Sequence, residues 1–410
     1  MFYNEVKGSR IMKSFNIKKV IVIIVACMLL SSLGTLFVSN KIEENKYCEV
    51  EQIYDYVFDA GTYTDLDYEY AEQYFLDHYD NYGGGCTAVA KVNKAGEMLI
   101  GRNMDLNISN KAAYVFRTDV EGCYKTVNLM YTFRDYSPDR DEVLENGLPE
   151  EFSKVMPFFA DDVLNEKGLY VEVNMRYGEF WPTGEPKYSC SGTNPDAEEK
   201  VYMFTLGRYI GEHCATVDEA IEYVKSLNVY SQDGYWNYCF LIADKTGHYG
   251  VLEFGLNEVI WNDYQPAQAN FYIDETLQSF EELKAGLGRY SLVMEGRDAV
   301  ETEEDMYKLM DDASYFQYYD YKNCKFDYRS ENVGALAFAT NDVLMDEKFK
   351  GLVTTLMDNM CDTVKALDRQ ALRDANEYWE SAFTEVINCN KGTLFVRFFE
   401  DDDQYYNPSV

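Results

Sequence analysis

Alternation of apolar and small or polar positions starts abruptly at Cys86. It runs Cys86-Thr87-Ala88-Val89-Ala90-Lys91-Val92, breaks at Asn93-Lys94-Ala95-Gly96 and resumes in Met98-Leu99-Ile100. Period two, turn chemistry and period two again predict a β-hairpin. Before it, residues 41–85 are acidic and Tyr-rich, with Leu66, Tyr70 and Tyr74 at helical spacing, which reads as a linker carrying one amphipathic helix. After it, strands are expected at 113–120, 128–133 and 168–175, the last entered through the turn Asn165-Glu166-Lys167-Gly168. Two helices follow, over roughly 198–213 and 217–227, the second announced by Thr216 with Glu219 as a capping box. Strand pattern returns at 236–243, 249–254 and 259–261. Thr302 with Asp305 opens a helix through Asp312, residues 349–378 contain more helical pattern, and 382–387 with 393–399 form a closing hairpin.

Sheet, helix pair, sheet, helices, sheet is the order expected when helices cover the outer faces of two stacked, mainly antiparallel sheets. The fold class is therefore α+β, a four-layer αββα sandwich. No internal repeat and no domain boundary is visible after Cys86.

Composition narrows the partners. The 410 residues carry a net charge of -34, which repels phosphate backbones and argues against nucleic acid. An uncharged apolar run over residues 20–38 is preceded by Lys7, Arg10, Lys13, Lys18 and Lys19, so the amino end is expected in the cytoplasm and the bulk of the chain outside. The run suits a cleaved signal peptide or a retained anchor equally. Membrane contact is expected only through it. The chain then divides into 1–40 (stub plus signal or anchor), 41–85 (prosegment or linker) and 86–410 (catalytic domain). Ten cysteines without C-x-x-C pairing describe neither a zinc site nor a disulfide framework, and most read as buried apolar filler. The acidic run Glu400-Asp401-Asp402-Asp403 lacks the pattern of a calcium loop. Neither metal nor cofactor is called for, and self-association is left open.

Cys86 follows Gly83-Gly84-Gly85, where no Cβ hinders approach to the Gly85 carbonyl. A cysteine hydrolase needs a base beside its thiol, and the chain has only three histidines, His78, His213 and His248. A cut between Gly85 and Cys86, made by Cys86 itself or by another protease, would supply one: an α-amine titrating at about 8, on the same residue as the thiol.

Cys86, Arg102 and Asp105 in the setting C-T-x(14)-R-N-M-D resemble the opening of the choloylglycine hydrolase and penicillin V acylase family of linear amide hydrolases, which are amino-terminal-nucleophile enzymes. Asn165 to Leu169 leading to Asn174 is similar to that family's oxyanion-hole segment. Ala269-Asn270-Phe271-Tyr272 resembles its second asparagine segment, and Gly288-Arg289-Tyr290 its downstream arginine. The resemblance implies an Ntn-hydrolase sandwich in which Arg102 lowers the thiol pKa and Asp105 binds the α-ammonium. Asn174 and Asn270 would donate to the oxyanion, and Arg289 would steady the Asp-amine network. It implies hydrolysis of a small linear amide, such as a bile-salt conjugate, a penicillin side chain or an N-acyl amine, through an acyl-thioester. Two alternatives are an acyltransferase using the same acyl-enzyme and an unprocessed, membrane-tethered binding protein.

Overall fold

The computed structural model describes residues 47–54, 57–77, 85–106, 112–131, 138–175, 192–231, 238–255, 258–274, 286–313, 316–320, 325–328 and 378–398. The chain divides into two units, Met1–Cys48 and Glu49–Val410, and of the first only the short strand Tyr47–Cys48 is described. The apolar run at 20–38, Gly83, Gly84 and the acidic run at 400–403 lie outside the described residues, as does all of the expected helical stretch at 349–378 except its last residue. Among the described residues no helix is long and apolar enough to cross a membrane.

The second unit begins with β1 (Glu51–Tyr54), β2 (Val57–Tyr63) and α1 (Tyr68–Asp77), followed by the hairpin β3 (Gly85–Val92) and β4 (Met98–Leu106). Next come β5 (Ala113–Thr118), β6 (Thr126–Tyr131), α2 (Arg140–Asn146), α3 (Glu150–Val155), β7 (Asp162–Asn165) and β8 (Leu169–Met175). β9 (Lys200–Tyr202), α4 (Leu206–His213), α5 (Val217–Ser226) and β10 (Asn228–Tyr230) form the middle of the chain. β11 (Tyr238–Asp244), β12 (Tyr249–Gly255), β13 (Glu258–Asp263) and β14 (Ala267–Gln268) lead to α6 (Leu287–Gly296) and α7 (Glu303–Asp312). β15 (Phe316–Asp320), β16 (Lys325–Tyr328), β17 (Tyr378–Asn388) and β18 (Thr393–Phe398) follow.

Among the described residues one sheet has nine strands in the order β13-β12-β11-β8-β7-β6-β5-β2-β1, antiparallel except where β2 runs parallel to β5. The other runs β14-β3-β4-β17-β15-β16, with β18 also paired to β17, and is antiparallel throughout. Side chains alternate across a strand, so each sheet offers one face inward. Ala88, Ala90, Ile100, Phe383 and Ile387 of the second sheet pack with Val115, Leu129, Leu164, Tyr170 and Leu241 of the first in one buried core. The opposite face of the second sheet buries Val89, Leu99 and Val386 under Val293 of α6 and Met306 and Met310 of α7. On the far side of the first sheet α4 lies so close that a Cβ on Gly211 would stand 2.3 Å from Val163 Cγ1. Helix, sheet, sheet, helix is the four-layer order expected. Gly211→Ala should overpack this contact and cost about 1–3 kcal/mol, read as a lower midpoint of denaturant unfolding.

Some expectations need correction. Residues 41–85 are more than a linker with one helix: Val57 and Phe58 are buried, and β2 pairs with both β1 and β5. The first helix of the central pair starts at Leu206, not near 198, because Val201 and Tyr202 are drawn into the parallel pair β9–β10. Thr216 caps α5 by accepting from the Glu219 nitrogen, but the Glu219 carboxylate accepts from Ala215 N instead of closing the box. The full reciprocal box occurs at Thr302 and Asp305. Of the cysteines described, Cys86, Cys214, Cys239 and Cys389 are buried and Cys48 and Cys123 half-buried, all as free thiols.

Candidate active site

Register places the chemistry. In the β3–β4 hairpin Gly85 faces Asp105, Cys86 faces Met104 and Ala88 faces Arg102. Cys86, Arg102 and Met104 therefore share the inner face of their sheet, while Thr87, Asn103 and Asp105 share the face under the helices. Opposite, β8 turns Tyr170, Glu172 and Asn174 inward, at alternate positions.

The six residues singled out from the sequence lie in one connected network. Arg102 Nη2 stands 3.7 Å from Cys86 Sγ, and Met104 Sδ lies 3.5 Å from the same sulfur. Cys86 N donates to Asn270 Oδ1 at 3.2 Å, and Asn270 Nδ2 donates to Asn174 Oδ1 at 3.3 Å and to Met175 O at 2.6 Å. Arg289 enters from α6: Nη1 donates to Asp105 Oδ2 (2.6 Å), Cys86 O (2.8 Å) and Thr87 Oγ1 (2.9 Å), and Nη2 donates to Asn270 Oδ1 (2.8 Å). Ser381 Oγ donates to the other oxygen of Asp105. All of these side chains are buried.

Two details differ from the expected roles. Both hydrogens of the Asn270 amide are taken by protein acceptors, so Asn270 orients its neighbours, whereas buried Asn174 Nδ2 has no partner among the described residues. The Cys86 nitrogen is held by Asn270, while the described contacts of Asp105 are with Arg289 and Ser381. Arg289 itself belongs to the first turn of α6. The helix can approach because Gly286 has no side chain: a Cβ there would meet Asn270 N at 2.9 Å and Ala269 Cβ at 2.7 Å.

Sequence reading missed the groups around Arg102. Nε donates to Glu172 Oε1 (3.1 Å), Nη1 to Asp162 Oδ2 (2.5 Å) and Nη2 to Val173 O (3.1 Å), and Glu385 Oε2 is 3.7 Å from Nη1. Asp162 also accepts from Tyr170, and Glu172 from Gln268. The available signal was a carboxylate at an inward position of an apolar strand, as at Glu385 between Phe383 and Ile387.

Burial pushes the Cys86 thiol well above its ordinary range; Arg102 pulls it down, and Glu172, Asp105 and Asp161 push it further up. Burial also raises Asp105, opposed by Arg289 and Ser381. As it stands the sulfur is a thiol and needs a base to become a nucleophile. Among the described residues no group of His, Cys, Asp and Glu could hold a metal ion.

No curated protein matches the chain. A variant of the conjugated bile acid hydrolase from Clostridium perfringens is similar in structure, with TM-score 0.40, 15% identity, and 79% of this chain and 92% of that one covered. Penicillin V acylase from Agrobacterium tumefaciens gives TM-score 0.36 and 12% identity over 77% and 83%. The Caenorhabditis elegans ortholog of N-acylethanolamine-hydrolyzing acid amidase gives 0.32 and 13% over 55% and 85%. A family model, acyl-coenzyme A:6-aminopenicillanic acid acyl-transferase, matches residues 92–349, more than half of the chain, from just after Cys86 to beyond Arg289. The chain belongs to this acyl-transferase family, among the amino-terminal-nucleophile amide hydrolases and acyltransferases.

Proposed function

We propose that the protein cleaves a linear, non-peptide amide with Cys86 as nucleophile, after the Gly85-Cys86 bond is cut. The observation that carries this reading is the double role of Asn270, which holds the Cys86 nitrogen and orients the Asn174 amide. Sulfur, nitrogen and a buried donor with no partner among the described residues thus converge on one residue's reach.

Once freed, the Cys86 α-amine takes the Sγ proton, and sulfur attacks the amide carbon. The carbonyl oxygen becomes an oxyanion and accepts from Asn174 Nδ2. The C–N bond breaks as the α-ammonium returns the proton to the leaving amine. Water, deprotonated by the α-amine, then attacks the thioester; the C–S bond breaks, releasing the acid and restoring the thiol. Arg289 holds the Cys86 carbonyl and Asp105 in place throughout. The substrate class is a small acyl amide of the bile-salt, penicillin-side-chain or N-acyl-amine type, met on the outer side of the membrane. Intact mass under denaturing conditions tests the first step: a species beginning at Cys86 is expected in active protein. Full activity in a chain unbroken at Gly85-Cys86 would remove the α-amine from the mechanism.

Asn174→Ala should lower kcat by roughly 10²–10³-fold, about 3–4 kcal/mol of transition-state stabilisation. KM should change little, since the donor acts on charge that develops in the transition state. Steady-state kinetics on any accepted amide reads both; an unchanged kcat would assign the oxyanion to another donor.

A second reading follows from the family itself, which is named for an acyl-transferase. The thioester could pass its acyl group to an amine instead of water. Product analysis with and without an added amine acceptor separates the two.

A further inference from the structure

Arg102 is fully buried, and its guanidinium offers five N–H donors in a rigid plane. Three directions are fixed by oxygen, Nε by Glu172, Nη1 by Asp162 and Nη2 by the Val173 carbonyl, with Glu385 Oε2 a further 3.7 Å contact of Nη1. What is left of Nη2 faces two sulfurs, Cys86 Sγ at 3.7 Å and Met104 Sδ at 3.8 Å. One positive charge is therefore shared between a thiol and a cage of carboxyl groups, and none of the cage is exposed.

We infer that Glu172 is a positioning residue acting through Arg102: its protonation makes the Cys86 sulfur more nucleophilic, and its ionisation restrains it. The catalytic consequence rests on the reading of Cys86 as nucleophile; the coupling itself does not.

Three carboxyl groups around one guanidinium cannot all stay ionised away from water. Asp162 holds its charge best, accepting from Arg102 Nη1 and from the Tyr170 hydroxyl. Glu385 lies against Asp162, and burial with the charge of that neighbour pushes it well up, so it keeps its proton and shares it with Asp162 in a hydrogen bond. Glu172 lies between these limits. Its Oε1 meets Arg102 and its Oε2 meets Gln268, yet burial and the charge of Asp162 push it up to about 7.

Among the described residues the other titratable groups near this axis are Tyr170 on the same strand, Asp162 on β7, Glu385 on β17, and Cys86 and Arg102 on the hairpin. Asp105, paired with Arg289 of α6, and Asp161 also act on the sulfur. On the neighbouring strand β11, Glu172 faces Leu241, and α4 sets Gly207 against Val171 and Val173 on the outer side of β8. Below about pH 7 Glu172 is neutral, and Arg102 acts on the sulfur with one counter-charge fewer. Above it the ionised carboxylate joins Asp105 and Asp161 in opposing a thiolate.

The test is the rate of Cys86 alkylation by iodoacetamide from pH 5.5 to 9, with the labelled residue confirmed by peptide mass. The wild-type profile should inflect near 7, where a lone thiol would show no break. Glu172→Gln, neutral at every pH, should react roughly threefold to thirtyfold faster at pH 8, about one unit in thiol pKa, and match the wild type at pH 5.5. Exposed Glu198→Gln should follow the wild type throughout. If Glu172→Gln does not fold, Gln268→Met serves instead: losing the donor to Glu172 keeps that carboxyl protonated to higher pH and speeds alkylation at pH 8. A wild-type profile without inflection, or a folded variant no faster than wild type at pH 8, overturns the inference. Alkylation needs no substrate, so its failure leaves the amidase reading standing, and absence of amide turnover with the profile intact leaves the coupling standing.

Discussion

Cys86→Ala should abolish turnover of every accepted amide, by roughly four orders of magnitude or more, with little loss of stability. The size of the effect follows from the position of the sulfur in the proposed mechanism: it forms and breaks the only covalent bond to substrate, and no neighbour can replace it. The small effect on folding follows from its surroundings. Cys86 is 3% exposed and packs beside Met104, so losing one sulfur leaves a modest void. Burst-phase and steady-state assays on the purified variant, with its unfolding curve measured alongside, give both numbers. A folded Cys86→Ala protein that still turns over amides would end the thioester mechanism.

The second large effect falls on stability. Arg289→Leu is expected to cost about 3–5 kcal/mol, because it leaves the Asp105 carboxylate buried without its counter-charge. It also removes the donors to Cys86 O, Thr87 Oγ1 and Asn270 Oδ1, so activity should be lost with stability. The double variant Arg289→Leu/Asp105→Leu separates the two. With both charges gone, much of the stability should return, while the site stays inactive. Chemical denaturation of the three variants checks this; an Arg289→Leu midpoint equal to wild type would show that the buried pair contributes nothing to folding.

The β3–β4 hairpin was legible because local rules agree there: period two, a turn at Asn93 to Gly96, and no competing helical pattern. The Thr302 helix was legible for the same reason, its cap and apolar spacing pointing one way. α6 was not. Gly286 and Gly288 flank Arg289 and lower local helix propensity, so the segment reads as a loop; what makes it a helix is Val293 buried against the second sheet and the close approach at Asn270, neither of which is local. β2 was hidden for a related reason, since Asp59 and Gly61 interrupt its apolar pattern and its parallel partner β5 lies some fifty residues downstream. At the site, spacing and resemblance brought out the residues nearest the sulfur. The carboxyl groups behind Arg102 come from three different strands, and only their convergence makes them a unit.

The first two strands of the nine-stranded sheet lie upstream of Gly85, with Val57 and Phe58 buried, Asp59 paired with Arg117, and Tyr68 of α1 donating to Glu212. A cut before Cys86 would therefore sever a covalent link without dismantling a layer. The upstream fragment would remain lodged as a non-covalent subunit, so a sizing column would report one particle where a denaturing gel reports two polypeptides. Extracting that fragment, more than cleaving it, is the event that would strip β5 of its parallel neighbour and leave an open strand edge.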